Sequence, residues 1–374
     1  MKTIKDIKSL KNKKVLVRVD FNCPIKEGKV VNDFRIKKAL PTIKYLKKQG
    51  AKVILISHLG RPKGKRNNNF SLKPVYNSLK KYLPKTKFIN DCIGEKVEEK
   101  IKELDLGDIL LLENLRFYPG EKQNDPEFAK KLANGKDIFI NNAFGVSHRK
   151  HASVYGVLDY LNGFAGILLK KEVENINTFI NSPKHPFVVL MGGVKAATKI
   201  KTIKKLTNSA DKILLGGGLA NTFVKAKGGD IKDSFYEPEM IKKSKKLLKN
   251  KNIVLPIDFS KTKAPEIKFY DIGEKTIKSF SKILENAKMI LWNGPLGYFE
   301  KKDFSQGTIE LANTILKNTK AKVLVGGGET VTALFKLTNY SKQKHNHIFV
   351  STGGGSLLKF LSQGYLLAIN KLKQ

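Results

Sequence analysis

Short apolar runs alternate with longer amphipathic stretches along the chain. Each run is rich in β-branched residues and ends in a glycine or a polar turn, which is typical of buried strands. The stretches between the runs carry apolar residues at helical spacing, with polar residues on the opposite face. In the first half this pattern predicts strands at residues 15–19, 53–57, 109–113 and 138–141, and helices at residues 35–49, 72–82 and 126–133.

Residues 166–180 are predicted to form one helix, after which the alternation starts again. The second half has predicted strands at residues 187–191, 212–215, 253–257, 289–292, 322–325 and 348–351. Its predicted helices are residues 198–208, 219–227, 238–249, 274–286, 305–318 and 330–337. Strands that alternate with helices form parallel sheets covered on both faces. We therefore predict an α/β fold of two doubly wound, Rossmann-like domains with parallel sheets, joined by a helix and a hinge and divided near residue 165.

The composition is that of a globular protein. The 374 residues, 41% of them hydrophobic, are enough for two separate cores. No apolar run approaches the roughly 20 residues of a membrane-spanning helix, and residues 1–6 lack the apolar segment of a signal peptide. The two cysteines, Cys23 and Cys92, are too few for a disulfide framework and fit a reducing compartment. We expect a cytoplasmic protein with no membrane partner.

The net charge of +38 raises the question of a nucleic-acid partner. The lysines are spread along the whole chain and lie between apolar positions, as they do on solvated helix faces. We expect non-specific binding of polyanions at low salt, but no specific nucleic-acid partner.

Arginine is distributed very differently from lysine. Only six of the 71 basic residues are arginine, and residues 150–374 contain none. A guanidinium group holds a carboxylate or phosphate through two parallel hydrogen bonds, which an ammonium group cannot do. Four arginines follow apolar runs where strands should end, which favours a binding site for a small, multiply anionic molecule over chance placement on the surface. The six are Arg18, Arg35, Arg61, Arg66, Arg116 and Arg149.

Other polar side chains accompany these arginines. Asp20 and Asn22 follow a predicted strand, where they could bind the hydroxyl groups of a small substrate or form only an Asx turn before a proline. His58, His148 and His151 stand beside arginines in the sequence. The spacing of the last two could suggest a metal, but no acidic or cysteine partners are evident nearby, so donors to phosphate or carboxylate fit better.

Glycines mark the strand ends of the second half. Three apolar runs end in three glycines each, and a fourth ends in Gly192-Gly193. Doubly wound sheets bind ligands beyond the carboxyl ends of their strands, where glycine lets backbone N–H groups approach a phosphate. The repeats suggest a nucleotide surface, although tight turns also need glycine. Neither a Walker-type loop nor a dinucleotide fingerprint is present. The triplets are Gly216-Gly217-Gly218, Gly326-Gly327-Gly328 and Gly353-Gly354-Gly355.

Three charged residues adjoin these glycines. If a helix begins directly after Gly193, Lys195 and Lys199 lie four residues apart on one face and point at the same anion; otherwise they are two solvated lysines. Glu329 follows a glycine triplet, where a carboxylate suits Mg²⁺ beside phosphates or the dipole of a following helix. Both halves together suggest phosphoryl transfer, which needs in-line positioning and positive charge. If the groups lie on different domains, closure must bring them together.

Six segments, in this order, make the chain similar to the phosphoglycerate kinase family over nearly its whole length. They are Arg18-Val19-Asp20-Phe21-Asn22, Ser57-His58-Leu59-Gly60-Arg61-Pro62, Glu113-Asn114-Leu115-Arg116-Phe117, residues 143–149, Trp292-Asn293-Gly294-Pro295-Leu296-Gly297 and Ser351-Thr352-Gly353-Gly354-Gly355. The resemblance implies reversible phosphoryl transfer between 1,3-bisphosphoglycerate and ADP, giving 3-phosphoglycerate and ATP, with Mg²⁺ on the nucleotide. We expect a monomer. The resemblance places the substrate domain at residues 1–165 with a C-terminal tail of about residues 357–374, and the linker helix and nucleotide domain at residues 166–356.

The resemblance also implies roles for individual residues, by position. Arg35 and Lys199 would neutralise the migrating phosphoryl group, and Lys195 would contact the nucleotide phosphates; these three are the expected catalytic residues. The glycerate substrate would be bound by Asp20, Asn22, Arg35, His58, Leu59, Gly60, Arg61, Arg116 and Arg149. The nucleotide would be bound by Lys195, Lys199, Gly217, Asn293, Glu300, Gly326, Gly327, Gly328 and Glu329. In this last set, Glu300 matches the acid that takes the ribose hydroxyls, and Glu329 would meet the metal through the nucleotide.

Three places depart from the family's pattern. Glu329 stands where most members have aspartate, and one extra methylene moves the carboxylate relative to Mg²⁺. Asn142 replaces a usual aspartate, which removes a negative charge near the arginines. Ser356-Leu357-Leu358-Lys359, after the last glycine triplet, differs from the common pattern, but this helix start should still bind anions. No expected substrate arginine is missing, so we expect an active enzyme.

Two other classes of protein are the alternatives. One is a basic protein that binds nucleic acid or other anions on a kinase-like fold without activity. The other is a nicotinamide-dependent dehydrogenase, which the missing fingerprint disfavours.

Overall fold

A computed structural model describes residues 1–342 and 345–372 of the chain. The chain divides into two compact units, Met1–Val173 with Tyr365–Gln374, and Glu174–Gly364. The expected division near residue 165 and the expected tail from about residue 357 differ from these bounds: residues 166–173 pack with the first unit, and residues 357–364 with the second. The last two residues of the expected tail, 373 and 374, lie outside the described residues. The substrate and nucleotide roles of the two units stay predictions.

The first unit is built on a parallel sheet. Its strands are β1 (Lys14–Arg18), β2 (Ile25–Lys26), β3 (Lys29–Val30), β4 (Lys52–Ile56), β5 (Lys87–Phe88), β6 (Ile109–Leu111), β7 (Ile138–Asn141) and β8 (Gly163–Ala165). The order in the sheet is β5-β6-β4-β1-β7-β8 with parallel pairing throughout, while β2 and β3 form a short antiparallel hairpin. The direction of winding therefore reverses between β1 and β7.

Helices cover both faces of this sheet. They are α1 (Phe34–Lys48), α2 (Lys73–Lys80), α3 (Glu95–Lys102), α4 (Pro119–Gln123) and α5 (Pro126–Ala133), with 3-10 turns at Ile4–Asp6, Asn68–Phe70, Leu115–Phe117, Phe144–Val146 and Gly156–Asp159. A further helix, α6 (Ile167–Asn181), begins in this unit and continues into the second, which starts at Glu174. Successive side chains of a strand point to opposite faces. Accordingly, Val15 and Val17 of β1 join a buried cluster with α1 and α2, whereas Leu16 joins one with α3 and α5.

The second unit has its own parallel sheet. Its strands are β9 (Phe187–Met191), β10 (Lys212–Leu215), β11 (Ile253–Val254), β12 (Phe259–Lys261), β13 (Phe269–Ile272), β14 (Met289–Asn293), β15 (Lys322–Gly326) and β16 (Ile348–Val350). The order is β11-β10-β9-β14-β15-β16, all parallel, while β12 and β13 form an antiparallel pair. The winding reverses between β9 and β14, and both strands are buried along their whole length.

The helices of the second unit follow its strands in the predicted alternation. They are α7 (Ile200–Leu206), α8 (Gly217–Lys227), α9 (Ile241–Leu247), α10 (Glu274–Glu285), α11 (Gln306–Lys317), α12 (Gly328–Leu337) and α13 (Gly355–Gln363), with 3-10 turns at Pro238–Met240, Lys302–Phe304 and Tyr340–Lys342. The last helix, α14 (Leu367–Lys371), belongs to the first unit. The predicted fold of two parallel-sheet α/β domains is confirmed. None of the described helices is long and apolar enough to cross a membrane.

Candidate active site

The carboxyl ends of β1, β4, β6 and β7 share one edge of the first sheet, because these strands are parallel. This edge contains the reversal between β1 and β7, and doubly wound sheets bind ligands at such a reversal. Several predicted residues lie here, together with Arg18, which was not among the predicted site residues. We call this set the arginine cluster: Arg18, Asp20, Arg35, His58, Arg116 and Arg149.

His58 is the buried centre of the arginine cluster. Its ring is only 3% exposed, and its Nδ1 lies 3.1 Å from Nη2 of Arg18. Burial and the charges of Arg18, Arg116, Arg149 and Arg35 hold the pKa of His58 well below its usual range. The ring is therefore neutral at physiological pH.

Arg116 is fixed by one hydrogen bond, while another of its hydrogen-bond donors has no partner in the described residues. One guanidinium nitrogen, Nη1, donates to the carbonyl of Gly60 at 2.6 Å, while the buried Nε has no hydrogen-bond partner in the described residues. Burial, together with the charges of Arg149 and Arg18, lowers the pKa of Arg116 to about 10. A buried cation that other cations surround gains most from a bound anion.

Arg35 and Asp20 form an ion pair at the same edge. Arg35 lies in the first turn of α1, and Asp20 follows β1 and is 8% exposed. Burial lowers the pKa of Arg35, but the charge of Asp20 and its hydrogen bond outweigh burial, so the net shift is upward. Asp20 thus fixes the guanidinium group of Arg35 next to the strand end.

The other predicted residues of the first unit lie around this cluster. Asn22 is exposed, and its Oδ1 accepts a hydrogen bond from the Gly60 N–H at 2.9 Å. Leu59 is buried, and both its N–H and its carbonyl bind the side chain of Asn114, at 3.1 and 2.8 Å. Arg61 is exposed, and its charge contributes to lowering the pKa of Arg149, after the larger effect of burial. Leu59 therefore fixes the loop after β4 to Asn114, whereas the side chains of Asn22 and Arg61 reach solvent.

Asn142 belongs to the framework behind the cluster. It is fully buried after β7, and its Oδ1 accepts hydrogen bonds from Oγ1 of Thr42 at 2.9 Å and from the N–H of Leu168 at 3.2 Å. It thus joins the sheet to α1 and α6.

In the second unit, glycine turns meet where the winding reverses between β9 and β14. The N–H of Gly192 donates to the carbonyl of Asn293 at 3.0 Å, and that of Gly193 to the carbonyl of Pro295 at 2.7 Å. A Cβ atom on Gly192 would lie 2.0 Å from the Pro295 carbonyl oxygen, so only glycine fits this close approach.

A pocket of about 310 Å³ opens beside these turns. Its wall is largely aromatic and glycine, with a few polar groups, as in many small-molecule sites. Three predicted nucleotide residues, Gly217, Glu300 and Glu329, line it. The other lining residues are Gly193, Val194, Gly218, Asn221, Phe235, Phe269, Tyr270, Pro295, Gly297, Tyr298 and Phe299. The aromatic members were not predicted, because no periodic pattern in the sequence joins such distant positions.

The glycine triplet at β15 begins a helix. Gly326 ends β15, Gly327 is the N-cap residue of α12 with φ +104°, and Gly328 is the first residue of α12. Nδ2 of Asn293 donates to the carbonyl of Gly326 at 2.7 Å. This helix start presents backbone N–H groups to the strand edge, which is the chemistry that a phosphate requires.

No helix begins directly after Gly193, so Lys195 and Lys199 do not share one helix face. Helix α7 begins at Ile200 with Lys199 as its N-cap residue, and the turn before it, which includes an exposed Lys195, is not helical. Lys199 nevertheless points to the glycine turns: a Cβ atom on Gly193 would lie 3.1 Å from its Nζ and 3.9 Å from Oε2 of Glu329. Burial lowers the pKa of Lys199, and the Glu329 carboxylate opposes that shift.

One carboxylate of the second unit, that of Glu329, lies at the start of α12 beside the glycine turns. Within residues 1–342 and 345–372, no group of three or more His, Cys, Asp or Glu side chains could hold a metal ion. Glu329 is exposed in the first turn of α12. One carboxylate beside phosphate oxygens is the usual protein share of a Mg²⁺ site.

The two units thus carry complementary chemistry: buried guanidinium groups at one strand edge, and glycine turns with an apolar pocket at the other. A doubly wound α/β protein with these two sites is of the phosphoryl-transferring class, because such transfer depends on positioning and on positive charge.

Comparison with known proteins narrows the class. A family model described as phosphoglycerate kinase matches residues 4–364. Phosphoglycerate kinase of Borrelia garinii subspecies bavariensis is 42% identical, with 100% of each chain covered, and that of Dictyoglomus turgidum is 45% identical, with 96% of each covered. The solved phosphoglycerate kinase structure from Coxiella burnetii is 38% identical (TM-score 0.84), and that from Pyrococcus horikoshii OT3 is 30% identical (TM-score 0.88); both comparisons cover 100% of this chain and 98% of the other. The chain belongs to the phosphoglycerate kinase family.

Proposed function

We propose that this chain transfers a phosphoryl group reversibly from 1,3-bisphosphoglycerate to ADP, giving 3-phosphoglycerate and ATP. The bond between the acyl oxygen and phosphorus breaks, the bond between the β-phosphate oxygen of ADP and phosphorus forms, and a carboxylate leaves. The observation that carries this proposal is the arginine cluster, in which the buried Nε of Arg116 has no hydrogen-bond partner in the described residues, in a chain similar to phosphoglycerate kinases over its full length.

The first unit binds the glycerate substrate in this proposal. Arg116 and Arg149 are cations whose burial lowers their pKa values, so an anionic substrate relieves the cost of burying them. Asn22 and Arg61 reach solvent at the same edge and contact the substrate from its exposed side. His58, neutral and buried, donates one hydrogen bond without adding charge.

The second unit binds the nucleotide. The apolar pocket takes the base, Glu300 at its rim takes the ribose hydroxyls, and the helix start at Gly327 and Gly328 faces the phosphates. Mg²⁺ comes with the nucleotide as part of the substrate. Glu329 is the side chain that would contact it, through the nucleotide or directly.

Arg35 and Lys199 neutralise the migrating group. Each belongs to a different unit, so the proposal includes closure of the units when both substrates are bound. Scattering profiles in the four ligand states test this part: the profile with both ligands should be more compact than either single-ligand profile. Identical profiles in all four states would contradict closure.

The enzyme acts as a cytoplasmic monomer in this proposal. Both cysteines, Cys23 and Cys92, are free and buried, which suits a reducing compartment. Sedimentation at working concentration tests the monomer.

Hydroxylamine trapping tests the reaction. Incubation of the protein with ATP, Mg²⁺, 3-phosphoglycerate and hydroxylamine should give a hydroxamate, because the acyl phosphate formed reacts with hydroxylamine. The same mixture with a chelator in excess over Mg²⁺ is the control and should give little. No hydroxamate from folded protein would refute the proposal.

A further inference from the structure

A buried chain of polar groups runs behind the arginine cluster. Glu121, at 0% exposed, lies in the short helix α4. Its Oε1 accepts a hydrogen bond from Oγ of Ser153 at 2.8 Å, and its Oε2 accepts one from the N–H of Ser153 at 3.0 Å. The same Oγ accepts a hydrogen bond from Nε of Arg18 at 2.9 Å. Ser153 thus links a carboxylate to a guanidinium group away from solvent.

The direction of each hydrogen bond in this chain is fixed by chemistry. A guanidinium group has donors only, and a hydroxyl group has one donor. The Ser153 hydroxyl must therefore accept from Arg18 and give its proton to Glu121. Arg18 also donates to the carbonyl of Val19 and, from Nη2, to Nδ1 of His58 at 3.1 Å.

The contact with Arg18 decides the state of His58. Since Nη2 of Arg18 can only donate, Nδ1 of His58 must accept through its lone pair, and the ring proton is then on Nε2. A protonated ring would carry hydrogen on both nitrogens and would oppose the Arg18 donor. The hydrogen bond thus selects one neutral form out of the three possible forms of the ring.

Glu121 is the anchor of this arrangement. Burial raises its pKa, but hydrogen bonds and charges from His151, Arg18 and Ser153 outweigh burial, so its pKa lies below its usual value and the carboxylate is ionised. Oε1 of Glu121 lies 3.9 Å from Nη2 of Arg18 and 3.6 Å from Nδ1 of His151. One buried negative charge therefore balances Arg18, which is itself 1% exposed.

We propose that Glu121 and Ser153 are positioning residues, which hold Arg18 so that His58 presents an Nε2–H donor to the anionic substrate. Neither residue needs to touch the substrate. The relevance to substrate binding rests on the proposed function, whereas the state of the His58 ring does not. A neutral donor strengthens the site without adding a further positive charge to the arginines already there.

Nitrogen-15 spectra of the imidazole rings test the proposal directly. In the wild-type protein at neutral pH, His58, assigned by loss of its signals in His58→Gln, should show a pyridine-type Nδ1 and a protonated Nε2. A ring with its proton on Nδ1, or a charged ring, would overturn the proposal. This measurement needs no activity and no variant of the network, so it remains decisive if the hydroxamate assay fails or if a network variant does not fold.

Ser153→Ala tests the role of the network. This variant removes the hydroxyl link but keeps both charges, and we expect the His58 nitrogen shifts to move toward those of a mixture of forms. The KM for 3-phosphoglycerate should rise about tenfold, the cost of roughly one charge-assisted hydrogen bond, with kcat changed less than about twofold. Ser153→Thr, which retains a hydroxyl group, should have a KM and His58 nitrogen shifts closer to those of the wild type than Ser153→Ala has.

Ser78→Ala is the matched control. Ser78 is a buried serine of the same unit, on α2, and its loss should change neither the His58 signals nor the KM. Unchanged His58 signals in a folded Ser153→Ala protein would show that the network does not position the ring. A KM that rises equally in Ser78→Ala would indicate a general loss of stability instead and would also contradict the proposal.

Discussion

In the proposed function, the two units bind phosphate groups by different means. The first unit uses side chains, of which the Arg18 guanidinium group and the neutral His58 ring are almost completely buried. The second uses backbone N–H groups at glycine turns and a pocket with an aromatic wall. Buried guanidinium groups give strength and fixed geometry but need compensating partners, whereas backbone amides are already neutral and require only that no side chain blocks them.

Two buried carboxylates show the same contrast. Glu121 in the first unit has Arg18, Ser153 and His151 beside it, and its pKa is lowered. Asp271 in the second unit forms no ion pair within the described residues 1–342 and 345–372; its carboxylate accepts hydrogen bonds from the N–H groups of Ile272 and Gly307, at 2.9 and 2.8 Å. Burial raises the pKa of Asp271 to about 7 despite these two bonds. Charge compensation, rather than depth, decides whether a buried acid stays ionised.

The largest expected effect comes from the side chains of the first unit. Arg35→Lys keeps the charge that pairs with Asp20 but loses the planar fork, so turnover should fall about 100-fold or more while the free energy of unfolding changes by less than about 1 kcal/mol. Steady-state kinetics and urea unfolding measure the two quantities.

Arg66→Lys is the control for Arg35→Lys. Arg66 is a half-exposed arginine of the same unit that contacts Asp91 and the carbonyl of Asn90, outside the arginine cluster. Its substitution should leave turnover nearly unchanged. Near-normal turnover in Arg35→Lys would remove Arg35 from the mechanism.

The second effect concerns the stability of the second unit. Because the folded pKa of Asp271 lies above its ordinary value of 3.8, the folded state binds the proton more tightly, and the resulting stabilisation is lost as the pH rises through about 7. Between about pH 5 and about pH 8, the wild type should therefore lose on the order of 2 kcal/mol of unfolding free energy relative to Asp271→Asn, which cannot titrate at this position.

Unfolding of the second unit at each pH can be followed by the fluorescence of Trp292, because this residue is the single tryptophan of the chain and lies buried in β14. Asp258→Asn is the matched control. The net pKa shift of Asp258 is downward, with burial outweighed by hydrogen bonds from Thr276 and Lys275, so its contribution should not vary over the same pH range. A pH-independent difference for Asp271→Asn would contradict the contrast between the two acids.

The smallest expected effect is at the backbone site. Gly217 has φ +61°, and a Cβ atom there would lie 3.0 Å from the carbonyl oxygen of Gly193. Gly217→Ala should raise the KM for the nucleotide about tenfold, as expected for a loss of roughly 1.4 kcal/mol, without changing the KM for 3-phosphoglycerate.

Gly228→Ala provides the comparison within the same helix. Gly228, the C-cap residue of α8, also has a positive φ of +95°, but nothing lies within 4 Å of its Cβ position. Both variants should lose about 1–2 kcal/mol of stability from the left-handed backbone, and only Gly217→Ala should affect nucleotide binding. If Gly217→Ala and Gly228→Ala raised the nucleotide KM equally, backbone strain alone would explain the effect.

The fold was largely predictable from the alternation of apolar runs and helices. The strand predicted at residues 138–141 has the same bounds in the structure, because its apolar residues are all buried. The short edge strands Lys87–Phe88 and Gly163–Ala165 were missed, since two or three residues carry no readable period. The helix predicted at residues 198–208 is shorter in the structure, Ile200–Leu206, because a turn precedes it.

Only those residues of the candidate site that stand out in the sequence could be predicted. Arginines that follow strands, such as Arg116 and Arg149, are marked by rarity and by position in a lysine-rich chain. The Glu121–Ser153 pair is not marked, because its members are 32 residues apart in loops and a short helix, and only tertiary packing buries them. Lys195, Lys199 and Glu329 are positioned by glycine turns, and their binding roles stay predictions.

The last helix of the chain has a consequence for biosynthesis. Ala368 of α14 packs with Ala143, Val146 and Val154, its N–H donates to the carbonyl of Ser147 at 3.1 Å, and Nζ of Lys371 contacts Asp159 at 2.5 Å. The loop that carries Arg149 is therefore completed by a helix that lies far from it in the sequence. During synthesis, residues 174–364 emerge before α14, so the second unit can fold while the first still lacks this helix. Premature termination near residue 365 should therefore leave the second unit folded and the loop around Arg149 without its covering helix.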